Sequence, residues 1–463
     1  MEHLAGFCFH NIIMCSIFWH EQVRAKENMK YYSTNHKIEP VDLRTAVLQG
    51  MPADKGLFMP EDIPAMPRHF FENIHLLHFR DIATSAALTL LGDDLPSGDI
   101  IRIVDEAITF DTPLVKLDER RYILELFHGP TLAFKDVGAR FMARLMGYYI
   151  QRSDKKLTVL VATSGDTGSA VANGFHNVDG IDVVLLYPSG KVSSIQEHQL
   201  TTMGGNITAL EIEGSFDDCQ SLVKEAFTDK QLNAKMMLSS ANSINLARLI
   251  PQSFYYYYAY AQLKRAGNDR KPVFCVPSGN LGNLTAGLIA KRTGLPAARF
   301  VAACNRNDSL TRYLKDGKFK PQSTVHTISN AMDVGNPSNF ARIEELYGYA
   351  PEFLRQDLLS WSFGDDETRE MMRDIYARYN YVADPHAAVG CCGMERYLRD
   401  MDPEAACIVL ETAHPAKFMD VVNSVPGLRT DMPEVLRQAM EKEKRSLKMP
   451  ASFSTFRSYL LER

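Results

Sequence analysis

The sequence predicts an α/β protein whose core sheet is largely parallel and covered by helices on both faces. Two observations carry that prediction. From about residue 108 to 415, short apolar runs alternate with stretches of helical periodicity, the pattern that parallel pairing through crossover helices requires. Two glycine turns of nearly the same spelling, Ser164-Gly165-Asp166-Thr167-Gly168 and Ser278-Gly279-Asn280-Leu281-Gly282, also stand at strand-to-helix junctions. Each follows an apolar run (Leu157–Ala162, Pro272–Val276) and opens a helix-like one (Ser169–Phe175, Leu284–Lys291). Such a turn directs backbone N–H groups at the space above the helix N-terminus, where an anion is favoured.

In chain order, residues 1–28 read as an upstream extension outside the folded domain; a weak signal anchor is the second reading of the apolar Leu4–Trp19, which lacks a basic flank. Residues 29–107 combine helical patterning at Val41–Gln49 and Phe70–Leu91 with a proline-rich passage, Pro52–Pro67, that reads as loop. Residues 108–415 carry candidate strands at Arg121–Leu126, Leu157–Ala162, Asp182–Tyr187, Ile207–Ile212, Val273–Val276, Phe300–Ala303 and Ala406–Glu411. Residues 416–463 look helical and charged, a closing arm. The aromatic block Phe254–Tyr258 with Tyr260 lacks interleaved basic residues, so it reads as a buried helix rather than a base-stacking surface.

Composition narrows the function. The 463 residues are 45% hydrophobic and 23% charged with a net charge of −5, and no basic run marks a nucleic-acid partner. Eight cysteines without C-x-x-C spacing, two of them adjacent at Cys391-Cys392, point to a reduced, cytoplasmic protein. No His/Cys/carboxylate set has metal-ligand spacing, so no catalytic metal is expected, and no membrane association. Asn206 and Asn283 match a glycosylation acceptor, a pattern common by chance.

The passage Glu125-Leu-Phe-His-Gly-Pro-Thr-Leu-Ala-Phe-Lys135-Asp reads as strand, Gly-Pro turn and a helix beginning near Thr131. Val137, Phe141, Leu145 and Tyr148 then recur at helical spacing. Lys135 falls in the first helical turn, where the dipole and desolvation favour its neutral, nucleophilic amine. The bland alternative is a surface lysine whose stem covers apolar neighbours. Two anion-suited turns downstream favour the reactive reading, because a neutral lysine with a phosphate-binding loop is what pyridoxal phosphate needs. Neither turn spells G-x-G-x-x-G, and no G-x-x-x-x-G-K-[ST] occurs, which weakens a dinucleotide or nucleotide reading.

These residues resemble the threonine synthases of the bacterial and fungal kind with an extended N-terminal domain. The likeness runs from about Lys30 to beyond Phe418 and rests on ELFHGPTLAFKD (125–136), ATSGDTGSAV (162–171), SANSIN (240–245), PSGNLGNLTAG (277–287), SNAMDVGNPSN (329–339), DPHAAV (384–389) and TAHPAKF (412–418). The resemblance implies a fold-type-II pyridoxal-phosphate enzyme, tryptophan-synthase-β-like, with two mainly parallel sheets and an N-terminal domain. It implies conversion of O-phospho-L-homoserine and water into L-threonine and phosphate, the last step of threonine biosynthesis. Lys135 matches the family's Schiff-base lysine; Gly279, Asn280, Leu281, Gly282 and Asn283 match the cofactor-phosphate loop; Thr412 matches the hydroxyl residue facing the pyridine nitrogen. Thr163, Ser164, Gly165, Asp166 and Thr167 match a loop that receives the substrate carboxylate. Leu281 and Asn283 replace the family's usual phenylalanine and aspartate, which backbone cradling should survive.

The leaving phosphate needs cations or directed donors. The candidates are Lys191, Arg248 and Lys417, with Asn242, Ser243 and Asn245 as neutral donors; each alone also reads as a surface charge or turn residue. His128 and His414 flank the proposed site and read best as structural histidines. The expected partner is a small-molecule substrate, and the expected state a monomer or homodimer. Competing readings are another lyase, dehydratase or phospholyase on the same cofactor, a catalytically idle cofactor binder, and a nicotinamide dehydrogenase.

Overall fold

The structure is a computed structural model and describes residues 28–463 apart from Asp154 and Ser164. The expectations for the first 27 residues therefore lie outside the described residues. The strands are β1 (Tyr31–Ser33), β2 (Phe58–Pro60), β3 (Leu114–Lys116), β4 (Arg121–Glu125), β5 (Leu157–Ala162), β6 (Ile181–Pro188), β7 (Ile207–Glu213), β8 (Met237–Ser240), β9 (Val273–Pro277), β10 (Arg299–Cys304), β11 (Leu358–Ser362), β12 (Cys407–Glu411) and β13 (Ser446–Pro450).

They form two large sheets and one small ribbon. The first sheet has the order β11-β10-β9-β12-β4-β3, parallel except for β3 on β4. The second, β13-β7-β6-β5-β8, is parallel throughout. Strands buried on both faces favour apolar residues at nearly every position, which is why β5, β9 and β12, apart from Thr158 and Glu411, read as apolar runs. β1 and β2 pair antiparallel, so the proline-rich passage is not all loop.

Three further expectations need correction. The predicted helix Phe70–Leu91 is broken after Leu76, because His78 and Asp81 form a reciprocal capping box that starts a new helix at Phe79. The helix expected near Thr131 starts at Lys135, after a turn in which Leu132 stands at φ 56°. The closing arm is not only helical: β13 pairs with β7, Ser446 opposite Ala209, and extends the second sheet.

Residues 29–107 share their core with the sheets' helices. Tyr31, Phe58, Phe70 and the buried helix Phe79–Leu91 belong to the same apolar cluster as Phe141, Phe254 and Phe300. Phe79 stacks on Tyr258 at 4.9 Å between ring centroids. The aromatic block is the buried helix the sequence predicts, Phe254–Arg265.

Candidate active site

Parallel sheets present their loops at the C-terminal ends of the strands, and ligands bind there. In the first sheet, β4, β12 and β9 are neighbours, and their C-terminal ends lead to Lys135, Thr412 and the Ser278–Asn283 turn. In the second sheet, the neighbours β5 and β8 lead to Thr163–Asp166 and to Asn242–Arg248. Five loops from two sheets thus carry the motifs that stand far apart in the chain.

The first two loops are stapled together. Phe134 N–H donates to the Thr412 carbonyl at 2.9 Å, and His414 N–H to the Leu132 carbonyl at 3.1 Å. Asp136 ties the loop from within, accepting from Thr131 N–H at 2.8 Å and Thr131 Oγ1 at 2.7 Å. A Cβ on Gly129 would lie 2.5 Å from Asp136 Oδ2, so this turn requires glycine. Burial pushes the Asp136 carboxyl up despite these bonds.

Lys135 Nζ lies 3.9 Å from Asp166 Oδ2, with 17% of its side chain exposed. Burial holds its amine below the ordinary lysine range; the charges of Lys417 and Arg248 push the same way, and Asp166 opposes them. The direction is the one a reactive amine requires. Lys417 is wholly buried and donates to Asp166 Oδ1 at 2.8 Å and to the Thr131 carbonyl at 2.8 Å. Gln196 Nε2 donates to the same Asp166 oxygen at 2.9 Å. Burial alone would raise the Asp166 carboxyl, but Lys417 and Lys135 outweigh it and hold it well below the usual carboxylate range.

The two glycine turns differ in a way their spelling hides. In the first, Thr163 Oγ1 accepts from Gly165 N–H at 3.0 Å and Gly168 N–H at 2.8 Å, so part of the turn is filled from within. Ser164 lies outside the described residues, and Thr167 is half-buried. In the second, the N–H groups of Gly279, Asn280, Leu281, Gly282 and Asn283 have no acceptor among the described residues. Leu281 stands at φ 61°, a left-handed conformation costing a non-glycine residue roughly 1–2 kcal/mol. That geometry turns successive N–H groups toward one side. A Cβ on Gly279 would lie 2.7 Å from Met332 Cα. Asn283 spends its side chain on the turn itself, donating to the Pro277 carbonyl at 2.9 Å and accepting from Leu284 N–H. Five donors without acceptors after β9 and a lowered lysine amine after β4, with the buried Thr412 following β12 between those strands, are a donor set that fits the phosphate and aldehyde of pyridoxal phosphate.

The other site residues divide. Arg248 is buried, donates to the Ala241 carbonyl at 2.7 Å through Nη1, and has an Nε without a partner. Burial lowers its guanidinium to about 10, so it stays charged at neutral pH. Gly138 lets it approach, since a Cβ there would sit 3.0 Å from the Arg248 carbonyl. Asn242 Oδ1 is likewise buried without a partner. Ser243 Oγ accepts from Asn280 Nδ2 at 2.7 Å, joining the two loops.

Asn245 is committed elsewhere: its amide donates to the Val47 and Ser240 carbonyls and accepts from Ala247 N–H. Lys191 is exposed in the turn after β6, near Asp218. Asp166 was expected to take part in receiving a carboxylate, yet its own carboxylate faces two lysines and cannot serve as a donor. His128 pairs with Glu125 at 2.7 Å and His414 accepts from Ala416 N–H, structural roles as expected.

Sequence reasoning missed Arg342 and His386. Arg342 is fully buried and donates to the carbonyls of Phe58, Ser243 and Ile244 and to Asn339 Oδ1. Burial lowers its guanidinium to about 9. His386, held by Asp384 at 2.5 Å through Nδ1, accepts from Ala331 N–H through Nε2 and so supports the segment that covers Gly279. Only the motif DPHAAV hinted at it.

Comparisons with known proteins agree with this geometry. A family model described as pyridoxal-phosphate dependent enzyme matches residues 107–412. Models of the threonine synthase N terminus and of threonine synthase, C-terminal, match residues 30–108 and 387–460. The threonine synthase of Haemophilus influenzae is 44% identical over 437 residues, covering 94% of this chain and 100% of its own. That of Saccharomyces cerevisiae is 37% identical, covering 83% and 86%. The crystal structure of the Escherichia coli threonine synthase superposes with a TM-score of 0.86 at 41% identity, over 94% of this chain and 100% of that one. A pyridoxal-phosphate-bound threonine synthase from Brucella melitensis gives 0.87 at 34% identity, over 94% and 99%. The chain belongs to the threonine synthases, within the pyridoxal-phosphate-dependent enzymes.

Proposed function

We propose that the chain converts O-phospho-L-homoserine and water into L-threonine and phosphate. The observation that carries this reading is the meeting of a lowered lysine amine, an open five-donor turn and an unpartnered buried arginine at adjacent loops. Pyridoxal phosphate, when bound, supplies an electron sink for charge developing at the substrate's Cα. The N–H groups of residues 279–283 hold its phosphate, and Thr412 offers the ring nitrogen a neutral hydroxyl that moderates the sink. Lys135 holds the cofactor and, once released by substrate, its Nζ takes the Cα proton and returns protons along the chain of carbons.

Negative charge accumulates on the departing phosphate, and the buried, charged Arg248 guanidinium is the cation that meets it, with Asn242 and Ser243 from the same loop. Lys191 and Asn245 are left out of that set by their positions. The substrate carboxylate falls to Thr163, Ser164, Gly165 and Thr167, with the Asp166 side chain turned to the lysines. No described helix is long and apolar enough to cross a membrane. A cytoplasmic monomer or homodimer acting on a small molecule alone, without a nucleic-acid or membrane partner, completes the reading.

The test is incubation of the loaded enzyme with O-phosphohomoserine, measuring phosphate and threonine together. Equal release supports the proposal; phosphate without threonine makes the protein a lyase of another kind, and no turnover with full cofactor loading rejects it.

A further inference from the structure

A carboxylate 3.9 Å from the reactive amine is a hazard, because it stabilises the protonated and therefore idle form of Lys135. Asp166 is nonetheless buried, with 4% of its side chain exposed, so solvent does not screen it. The groups around it come from four elements. Lys417 comes from the turn Pro415–Phe418, Gln196 from the helix Ser194–Thr201, Lys135 from its own helix, and Arg248 acts on Lys135 from the helix Leu246–Leu249. Lys417 itself also faces Asp136 and His414.

We propose that Lys417 is a positioning residue for the reactive amine: by occupying Asp166 Oδ1 and the Thr131 carbonyl, it keeps the carboxylate from claiming the proton of Lys135. Its two bonds do different work. The ion pair occupies Asp166 Oδ1 with the Lys417 amine, leaving only the far oxygen toward Lys135. The bond to Thr131 ties Lys417 to the turn that precedes Lys135, so the ammonium that engages Asp166 is held at the base of the reactive lysine's helix. The pair therefore serves the same end as an amide at position 166 while adding a tether between the two sheets' loops.

This inference rests on Lys135 being the residue that holds the cofactor. The test uses the full-length holoenzyme and follows the bound cofactor's absorbance against pH, which reports protonation of the nitrogen supplied by Lys135. A second readout is the rate at which acetic anhydride acetylates Lys135 in the full-length chain after cofactor removal, followed by peptide mass spectrometry. Lys417→Met should move both profiles to higher pH, by about one unit, a tenfold loss of reactive amine at a fixed pH below the midpoint. Asp166→Asn should move them to lower pH, and the double variant should return toward the parent. If Lys417→Met does not accumulate as folded protein, Lys417→Gln, which keeps a donor for Asp166 Oδ1 but carries no charge, takes its place and should show the same upward shift. Unmoved profiles, or shifts of the same sign in both single variants, overturn the inference while borohydride still fixes the cofactor on Lys135. Fixation on another lysine removes the reading of Lys135 and the inference together.

Discussion

The backbone N–H of Phe134 donates to the Thr412 carbonyl at 2.9 Å, so the residue before the lysine is fixed to the residue after β12. One main-chain bond thereby holds the backbone that carries the amine against the backbone that carries the Thr412 hydroxyl. The backbone of Lys135 is thus fixed by main-chain bonding, while its amine answers to the Asp166–Lys417 pair. Lys135→Ala should lower turnover by about a thousandfold or more while leaving the unfolding midpoint nearly unchanged. Phosphate release beside a thermal melt checks both halves.

The open turn depends on close backbone approach at Gly279. Gly279→Ala places a Cβ 2.7 Å from Met332 Cα, which only a backbone shift can relieve. The expected cost is about 1–3 kcal/mol of stability, together with weaker retention of pyridoxal phosphate. Chemical denaturation and cofactor titration of the variant measure these effects.

Arg342 joins three segments by donating to four acceptors. Arg342→Met would leave those carbonyls buried and unpaired, destabilising the protein by about 3 kcal/mol or more. Arg342→Lys should rescue little, because a single ammonium cannot reproduce the planar fork. Urea unfolding of the two variants gives the comparison.

Glu411 precedes Thr412 and is fully buried, with Oε1 accepting from Asp384 N–H at 2.7 Å and Oε2 unpartnered. Burial pushes its carboxyl well above the ordinary glutamate range, and the charge of Asp384 adds to that. The folded state therefore keeps a proton that the unfolded chain releases above the ordinary value of about 4.3. Where the native state binds more protons, stability falls as pH rises. Glu411→Gln, neutral in both states, should flatten that decline above about pH 4.3, as read from denaturation midpoints across the range.

The fold was legible wherever burial is two-sided. β5, β9 and β12 are buried at every position, so their apolar runs announce them. β11 and β13 lie at sheet edges with only one buried position each, and their sequences carry no such run. At the site, Lys135 and the glycine turns were readable because their chemistry is local. The Lys417–Asp166 pair was not, because it depends on the strand order that brings the ends of β12 and β5 together. Arg342 looked like any charge on a helix face, and nothing local marks a guanidinium as the hub of three segments.

The helix Phe79–Leu91 is buried along nearly its whole length, and a helix covered all round belongs to an interior. The segment that carries it is therefore a wall of the molecule rather than an appendage. A shortened chain starting at residue 107 would bare the aromatic face around Tyr257 and Tyr258, an exposed patch of the kind that drives aggregation. Solubility of the catalytic region is encoded upstream of it, so any chimera or minimal enzyme has to carry both parts.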